Sequence, residues 1–397
     1  MRLRIAEVIN SFDVGGGEVQ LLELVRGLQG AHQLGVHALE VRGTLLPRLR
    51  ALGVEPSGHP LGGSLASRAA LRQVRALASA FRAQRAEVVH AHDFYSAAVA
   101  IPAARLAGAR SVIGRLDLGH LQGPAQRVLL AALTHAADAA VANCDAIRDA
   151  VVAEGVPRRR IAVIRNGIDL ARFDARAAAP PEGPLPGRPG APIVVLVANM
   201  RHEVKRQEDF LEALALARRE RPDLEAWLVG EGSREPELKR RAALLGVSGA
   251  AHFLGGRVDV PALLRRATIG ALASAREGLS NAIIEKMAAG LPLVVTRAGG
   301  NPELVEHGER GLVVPVRRPD AMARALVRLA GDPDRARAMG RAARRYVEAS
   351  LSIERLVAEH EALYARLATS SSSARPASAG GRSGGGWARK AATILPR

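Results

Sequence analysis

The chain is poor in four things, and each scarcity removes a class of protein. Among 397 residues there is one cysteine, Cys144, so neither an intrachain disulfide nor a cysteine-based metal cluster can form. That usage suits a reducing compartment. Aromatic residues make up only 3%, which leaves little to stack on unpaired bases. No run of about 18 apolar residues occurs, so no membrane-spanning helix is expected. At the N-terminus Arg2 and Arg4 precede a short apolar stretch broken by Glu7, too short and too polar for the apolar core of a secretory signal. Lysine is scarce as well: Lys205, Lys239, Lys286 and Lys390 stand among 56 basic residues.

What is present describes a large folded protein. Apolar residues reach 48% and charged residues 24%, a composition that buries a sizeable core and excludes wholesale disorder. The length favours two domains. The net charge of +17 comes from arginines spread over both halves, and the last 28 residues hold five basic residues and no acidic one. With no base-stacking or groove-reading motif beside it, that charge predicts no nucleic-acid partner. A basic surface facing an anionic membrane or a phosphorylated substrate fits better.

Short apolar runs alternate with helical patterns along the chain. In the first half, strands are predicted at Arg2–Ile9, Glu87–His90, Ser111–Ile113, Ala139–Ala142 and Ile161–Ile164, with a helix from about Glu18 to Leu28 after a glycine loop. Strands separated by helices imply parallel pairing in a doubly wound α/β domain. Residues 177–192 carry six prolines and three glycines and read as a linker. The pattern then restarts, with strands predicted at Ile193–Ala198, Ala226–Val229, Ala251–Leu254, Ile269–Leu272 and Leu293–Val295. The expected organisation is an N-terminal domain over 1–176, the linker, a C-terminal domain over 193–350, a final helix over 351–369 and a disordered basic tail over 370–397. Ligands of such sheets bind at the carboxyl ends of the strands, so the residues just after each strand carry the chemistry.

Four segments occupy such positions. Gly15-Gly16-Gly17-Glu18 follows the first strand; its glycines let backbone amides approach a ligand at a helix start. It is not a G-x-G-x-x-G run, and a plain strand-to-helix turn accounts for it equally well. Arg201 and Lys205 follow the strand ending near Ala198 and suit a diphosphate, against the plainer reading of a solvated loop in a cation-rich chain. Glu277 and Glu285 stand eight apart across a loop-to-helix junction, Gly278 permits a tight turn, and Ser280 or Asn281 can cap the helix. The two carboxylates cannot share one spot, so they should contact different parts of an extended ligand, accepting bonds from hydroxyls. In Gly299-Gly300-Asn301-Pro302-Glu303, Asn301 can cap a second helix with Pro302 at its first position.

On these residues the chain resembles the retaining glycosyltransferases of family 4. Ser274–Val305 is similar to that family's E-x7-E region and the glycine pair beyond it, Val197–Leu214 to its basic diphosphate segment, and Gly15–Glu18 to its N-terminal glycine loop. Val163–Phe173 and Trp227–Leu238 also match, and the resemblance covers residues 1 to 368. It implies a GT-B fold: two Rossmann-like, doubly wound parallel-sheet domains facing a cleft. It implies transfer of a sugar, with retention and without a metal or other cofactor, from a UDP- or GDP-sugar to a hydroxyl of a glycan, lipid-linked or small-molecule acceptor. Cell-envelope polysaccharide synthesis, in the cytoplasm or peripherally at the inner face of the membrane, is the expected setting. By the same resemblance Arg201 and Lys205 hold the donor diphosphate, Glu285 the ribose hydroxyls and Glu277 the transferred sugar. Backbone at Gly278, Leu279, Ser280 and Asn281 holds the sugar and distal phosphate. Gly230 and Gly232 lie near base and ribose, Gly16 and Gly17 approach the diphosphate from the other domain, and Gly299 and Gly300 belong to the donor side. The final helix packs back across the cleft. Two departures stand out. Where many members carry a histidine, this chain reads Gly114-Arg115-Leu116-Asp117-Leu118, with His120 a little later; and Lys286 replaces a common alanine, a change expected to be tolerated with Glu285 intact.

An oxocarbenium-like transition state needs its leaving diphosphate stabilised, which Arg201, Lys205 and the helix N-termini can do. No enzymic nucleophile presents itself, so attack on the same face is favoured, with Asp117 as the local candidate for assisting the acceptor. His92, Asp93, Tyr95, Arg115 and His120 are the acceptor-side candidates. His90 and His92, two apart at a strand end, are poor evidence for a metal, and none is expected. The helix near Leu65–Arg85 sets Arg68, Arg72, Arg75 and Arg82 apart from Leu71, Val74, Leu77 and Phe81, which suits either anionic lipid or core packing with a solvated face. Cys144 reads as a small buried residue. The alternative to a transferase is a catalytically inactive nucleotide- or sugar-binding relative on the same scaffold.

Overall fold

Seven strands of the first half form one parallel sheet in this computed structural model, which describes residues 1–63, 65, 67–119 and 122–372. They are β1 (Arg4–Ile9), β2 (Gln33–Ala38), β3 (Ser57–Gly58), β4 (Val88–Ala91), β5 (Arg110–Arg115), β6 (Ala139–Ala142) and β7 (Ile161–Val163), in the spatial order β3-β2-β1-β4-β5-β6-β7. Six strands of the second half form another parallel sheet: β8 (Ile193–Val197), β9 (Glu225–Val229), β10 (Ala251–Gly255), β11 (Ile269–Leu272), β12 (Leu293–Thr296) and β13 (Gly311–Val314), in the order β10-β9-β8-β11-β12-β13. Apolar runs such as Ile193–Val197 and Leu293–Thr296 are buried almost throughout, as strands covered by helices on both faces must be. Both sheets reverse direction beside their first strand, between β1 and β4 and between β8 and β11. The crevice of a doubly wound sheet opens at such a reversal. The Gly15–Gly17 loop leaves β1, the Arg201–Lys205 segment leaves β8 and the Glu277 loop leaves β11, so all three border a crevice.

The expected strands are present with ends shifted by a residue or two. Three strands were not foreseen: β2, β3 and β13. β2 reads Gln-Leu-Gly-Val-His-Ala, where Gln33, Gly35 and His37 break the apolar run, and β3 has two residues. The linker is pinned rather than loose. The helix Leu170–Ala178 runs two residues into it; farther on, Trp227 Nε1 donates to the Pro186 carbonyl at 2.9 Å and Arg188 pairs with Glu225 at 2.7 Å.

The chain end returns to the first half. The helix Pro333–Ser350 packs on the helix Asn281–Ala288, and Arg344 reaches Asp174 at 2.8 Å. The helix Ile353–Ser372 then lies on the helix Gly16–Leu28, where Leu356, Val357, Leu363 and Tyr364 share a core with Leu3, Ile5, Leu24 and Leu28. A Cβ at Gly27 would stand 2.3 Å from Val357, so glycine is required for this approach. The helix extends three residues into the segment expected to be disordered; residues 373–397 lie outside the described residues. Among the described residues, no helix is long and apolar enough to cross a membrane. The helix Arg68–Ala83 is capped by Ser67 and buries Val74, Leu77 and Phe81, leaving Leu71 outside.

Candidate active site

The carboxyl ends of β8 and β11 bring the strongest candidates together. Ala275 N–H donates to the Val204 carbonyl at 2.8 Å, tying the two loops side by side. Lys205 Nζ then meets Glu277 Oε1 at 2.7 Å, both largely buried. Arg201 is exposed and has no ion pair among the described residues. The helix Asn281–Ala288 begins at Ser280, which makes no side-chain capping bond; the Ile283 and Ile284 N–H groups donate to the Ser280 carbonyl, which leaves those of Asn281 and Ala282 open to an anion. Glu285 lies on the same helix without a side-chain hydrogen bond among the described residues. Desolvation raises its pKa, against the lowering influence of Lys286 and Arg176. The site therefore joins the Lys205–Glu277 ion pair, a helix N-terminus and a second carboxylate, Glu285, in a different environment.

Opposite this wall stands the first half. Asn281 Nδ2 donates to the Gly16 carbonyl at 3.1 Å, while its Oδ1 accepts from Asn166 at 2.7 Å. Gln20 and Gly167 exchange two hydrogen bonds of 3.0 Å. Gly17 faces Leu116, and a Cβ on Gly278 would stand 2.1 Å from the Leu116 carbonyl oxygen. Gly300 abuts Cys144, and its N–H donates to the Gly278 carbonyl at 3.0 Å. Gly299, at φ +50°, lies against the Glu277 carbonyl. In this arrangement Gly278, Gly299 and Gly300 serve close packing. Gly230, at φ +139°, and Gly232 fit similarly against Ala198 and Met200 at the end of β8. The second helix start differs from expectation: the cap is Gly300, because Asn301 turns inward to donate to the Thr296 carbonyl at 3.1 Å.

Sequence reasoning missed Gln20, Asn166, Arg165 and the part played by Glu303. The Glu303 carboxylate accepts from the N–H groups of Asp145 and Ala146, each at 2.9 Å, so it caps the helix Asp145–Ala153 of the other half. Arg165 joins Asp145 and Glu303 from the side. No local pattern announces a cap supplied from more than 150 residues away.

The acceptor-side candidates separate. His92 Nε2 donates to Glu7 at 2.6 Å; Tyr364 donates to the other Glu7 oxygen at 3.2 Å and accepts from His90 Nδ1 at 2.7 Å. Glu7, His90 and His92 place their ligand-type atoms within 4.8 Å of one another. Burial holds His90 neutral. Asp93 caps the helix Phe94–Ala107 through Ser96 and also accepts from Asn10 N–H at 2.7 Å. Tyr95 is exposed. Arg115 turns into the domain, bidentate on Glu154 at 2.7 Å and bonded to Thr134. Asp117 is exposed and accepts from Gly119 N–H at 2.6 Å. His120 lies outside the described residues. Cys144 is buried, its thiol pushed up to about 11 by desolvation.

Comparison with known proteins now settles the family. Residues 14–172 match the model of Glycosyltransferase Family 4, and residues 191–332 that of Glycosyl transferases group 1. The chain belongs to the group 1, family 4 glycosyltransferases. The D-inositol 3-phosphate glycosyltransferase of Streptomyces avermitilis is 32% identical over 288 residues, spanning 66% of this chain and 61% of that relative's own length. The GDP-mannose-dependent alpha-(1-6)-phosphatidylinositol monomannoside mannosyltransferase of Mycobacterium tuberculosis is 29% identical over 375 residues, 90% of this chain and 96% of that one. HepE from Anabaena, solved with UDP and glucose, superposes with a TM-score of 0.78 at 20% identity over 92% of this chain and 100% of its own. The two parallel-sheet halves are those of the GT-B fold.

Proposed function

We propose that this family member moves a sugar from a nucleotide-diphosphate sugar, UDP- or GDP-linked, to an acceptor hydroxyl with retention of anomeric configuration. The observation that carries the reading is the Lys205–Glu277 pair beside the uncapped start of the helix that bears Glu285. A diphosphate entering there meets Lys205, Arg201 and the first-turn N–H groups together. Lys205 then turns toward phosphate, which leaves Glu277 able to accept from hydroxyls of the transferred sugar. Glu285 accepts from the ribose hydroxyl pair. The bond between the anomeric carbon and the diphosphate oxygen breaks while the acceptor oxygen bonds to that carbon from the same face, and the acceptor proton passes to the departing phosphate oxygen. Preorganised cations and amides stabilise the charge that develops on the leaving group. No step of this scheme requires a bound metal ion.

On the acceptor side, Glu7 orients His92 just after β4, and the exposed Tyr95 and Asp117 are the other candidates. Relatives named for an inositol phosphate and a phosphatidylinositol mannoside support a polyol or glycan acceptor; the proposed setting is envelope synthesis in the cytoplasm. Leu71, Val128 and Leu129, exposed at 51%, 71% and 38%, stand with Arg68, Arg72 and Arg75 on the first half, a combination suited to peripheral contact with an anionic membrane. The test is release of UDP or GDP from a panel of nucleotide sugars in the presence of inositol phosphate or glycolipid acceptors, with the product's anomeric configuration read by NMR. Nucleotide binding without sugar transfer to any acceptor would favour the inactive binding relative instead.

A further inference from the structure

Lys286 is unexplained by the chemistry above. It sits within the helix Asn281–Ala288, yet it is fully buried. Its stem crosses β11 where Gly270 has no side chain; a Cβ there would stand 2.7 Å from Lys286 Cδ. Side chains on a helix lean toward its N-terminus. The stem therefore carries the ammonium back under the first turn, where Nζ donates to the Ala282 carbonyl at 3.0 Å. That is its one hydrogen bond among the described residues, so two of its three donors lack a protein partner. A buried ammonium in that condition is unfavourable unless nearby charge offsets it. Glu285 on the same helix and Glu277 from the loop after β11 favour the charged form, while Lys205 after β8 opposes it.

We propose that Lys286 is a positioning residue of the donor site, its buried ammonium holding the first turn of the Asn281–Ala288 helix and adding positive charge beneath the N-terminus where the donor diphosphate binds. The inference rests on the donor-site reading given above. It has a consequence that a packing role lacks. Burial lowers the Lys286 pKa to about 8. A bound diphosphate favours the ammonium, so binding takes up a proton near pH 8 and weakens as pH rises beyond it.

The test is calorimetric titration of UDP and GDP into the full chain at pH 7, 8 and 9.5, each in two buffers of different ionisation enthalpy. The wild type is expected to take up a fraction of a proton at pH 8, and its affinity to fall about fivefold to tenfold between pH 7 and 9.5. Lys286→Met keeps the apolar stem and is expected to lose both effects and to bind more weakly at pH 7. Nucleotide binding by the wild type that Lys205→Ala weakens, but with no proton uptake at pH 8, would overturn the part given to Lys286 while leaving the donor site standing. Uptake retained in Lys286→Met would do the same. No binding of either nucleotide by the wild type would overturn the donor-site reading and this inference with it.

Discussion

The two sheets share the order of their first six strands, the first sheet adding β7, but the groups at their carboxyl ends differ. In the first half most of the polar side chains there are committed within the protein, with Glu18 and Asp117 lacking a side-chain partner among the described residues. Asp93 caps a helix, Arg115 clasps Glu154, and Glu7 joins His92 to Tyr364. In the second half Lys205 pairs with Glu277 and Glu303 with Arg165, while Arg201 and Glu285 have no side-chain partner among the described residues. Topology makes a crevice on both sides, but a ligand needs groups that are not already satisfied. Burial raises the pKa of the unpartnered Glu285 carboxyl, and together with the unpaired cation of Arg201 it marks where the donor is proposed to bind.

The sharpest way to break this contrast is Glu285→Gln. Sugar transfer is expected to fall about 100- to 1,000-fold, measured as nucleotide release at subsaturating donor, the scale of two lost charged hydrogen bonds to the ribose. Stability should move the other way. A carboxyl whose pKa is raised on folding contributes stability that is lost as pH rises through its folded pKa, so the variant should melt higher at pH 7 and this gain should vanish toward pH 4. Lys205→Ala comes next: nucleotide-diphosphate affinity should drop about 10- to 100-fold by calorimetry, the scale of a lost charged hydrogen bond. Arg115→Ala tests the other half. It should cost about 1–3 kcal/mol in denaturant unfolding, because it breaks a partly buried bidentate pair, while leaving nucleotide affinity within about twofold. The smallest effect belongs to Glu303→Ala, which removes the cap from the helix Asp145–Ala153 and should cost about 1 kcal/mol by the same measurement.

Much of this contrast could be read from residues alone, and the exceptions have physical causes. Central strands such as Ile193–Val197 and Ala139–Ala142 announce themselves because a doubly covered strand must be apolar throughout. Strand β2, next to the edge of its sheet, does not, since only its second half is buried and Gln33, Gly35 and His37 interrupt it. Lys205 and Glu277 were both legible as candidates, but their pairing was not, because 72 residues separate them. The glycines at 278, 299 and 300 show a different gap. A glycine records that a Cβ does not fit, not whether the obstacle is a ligand or, as here, Leu116, Glu277 and Cys144. Burial of Lys286 depends on the absence of a side chain at Gly270, a pairing of two positions on different elements.

The central claim is that the second half holds the donor through Lys205 and Glu285. The most direct test is calorimetric titration of UDP and GDP into the wild type, Lys205→Ala and Glu285→Gln. Binding of one nucleotide in the micromolar range, weakened in both variants while both remain folded, is the expected result. Binding that neither substitution changes would contradict the claim.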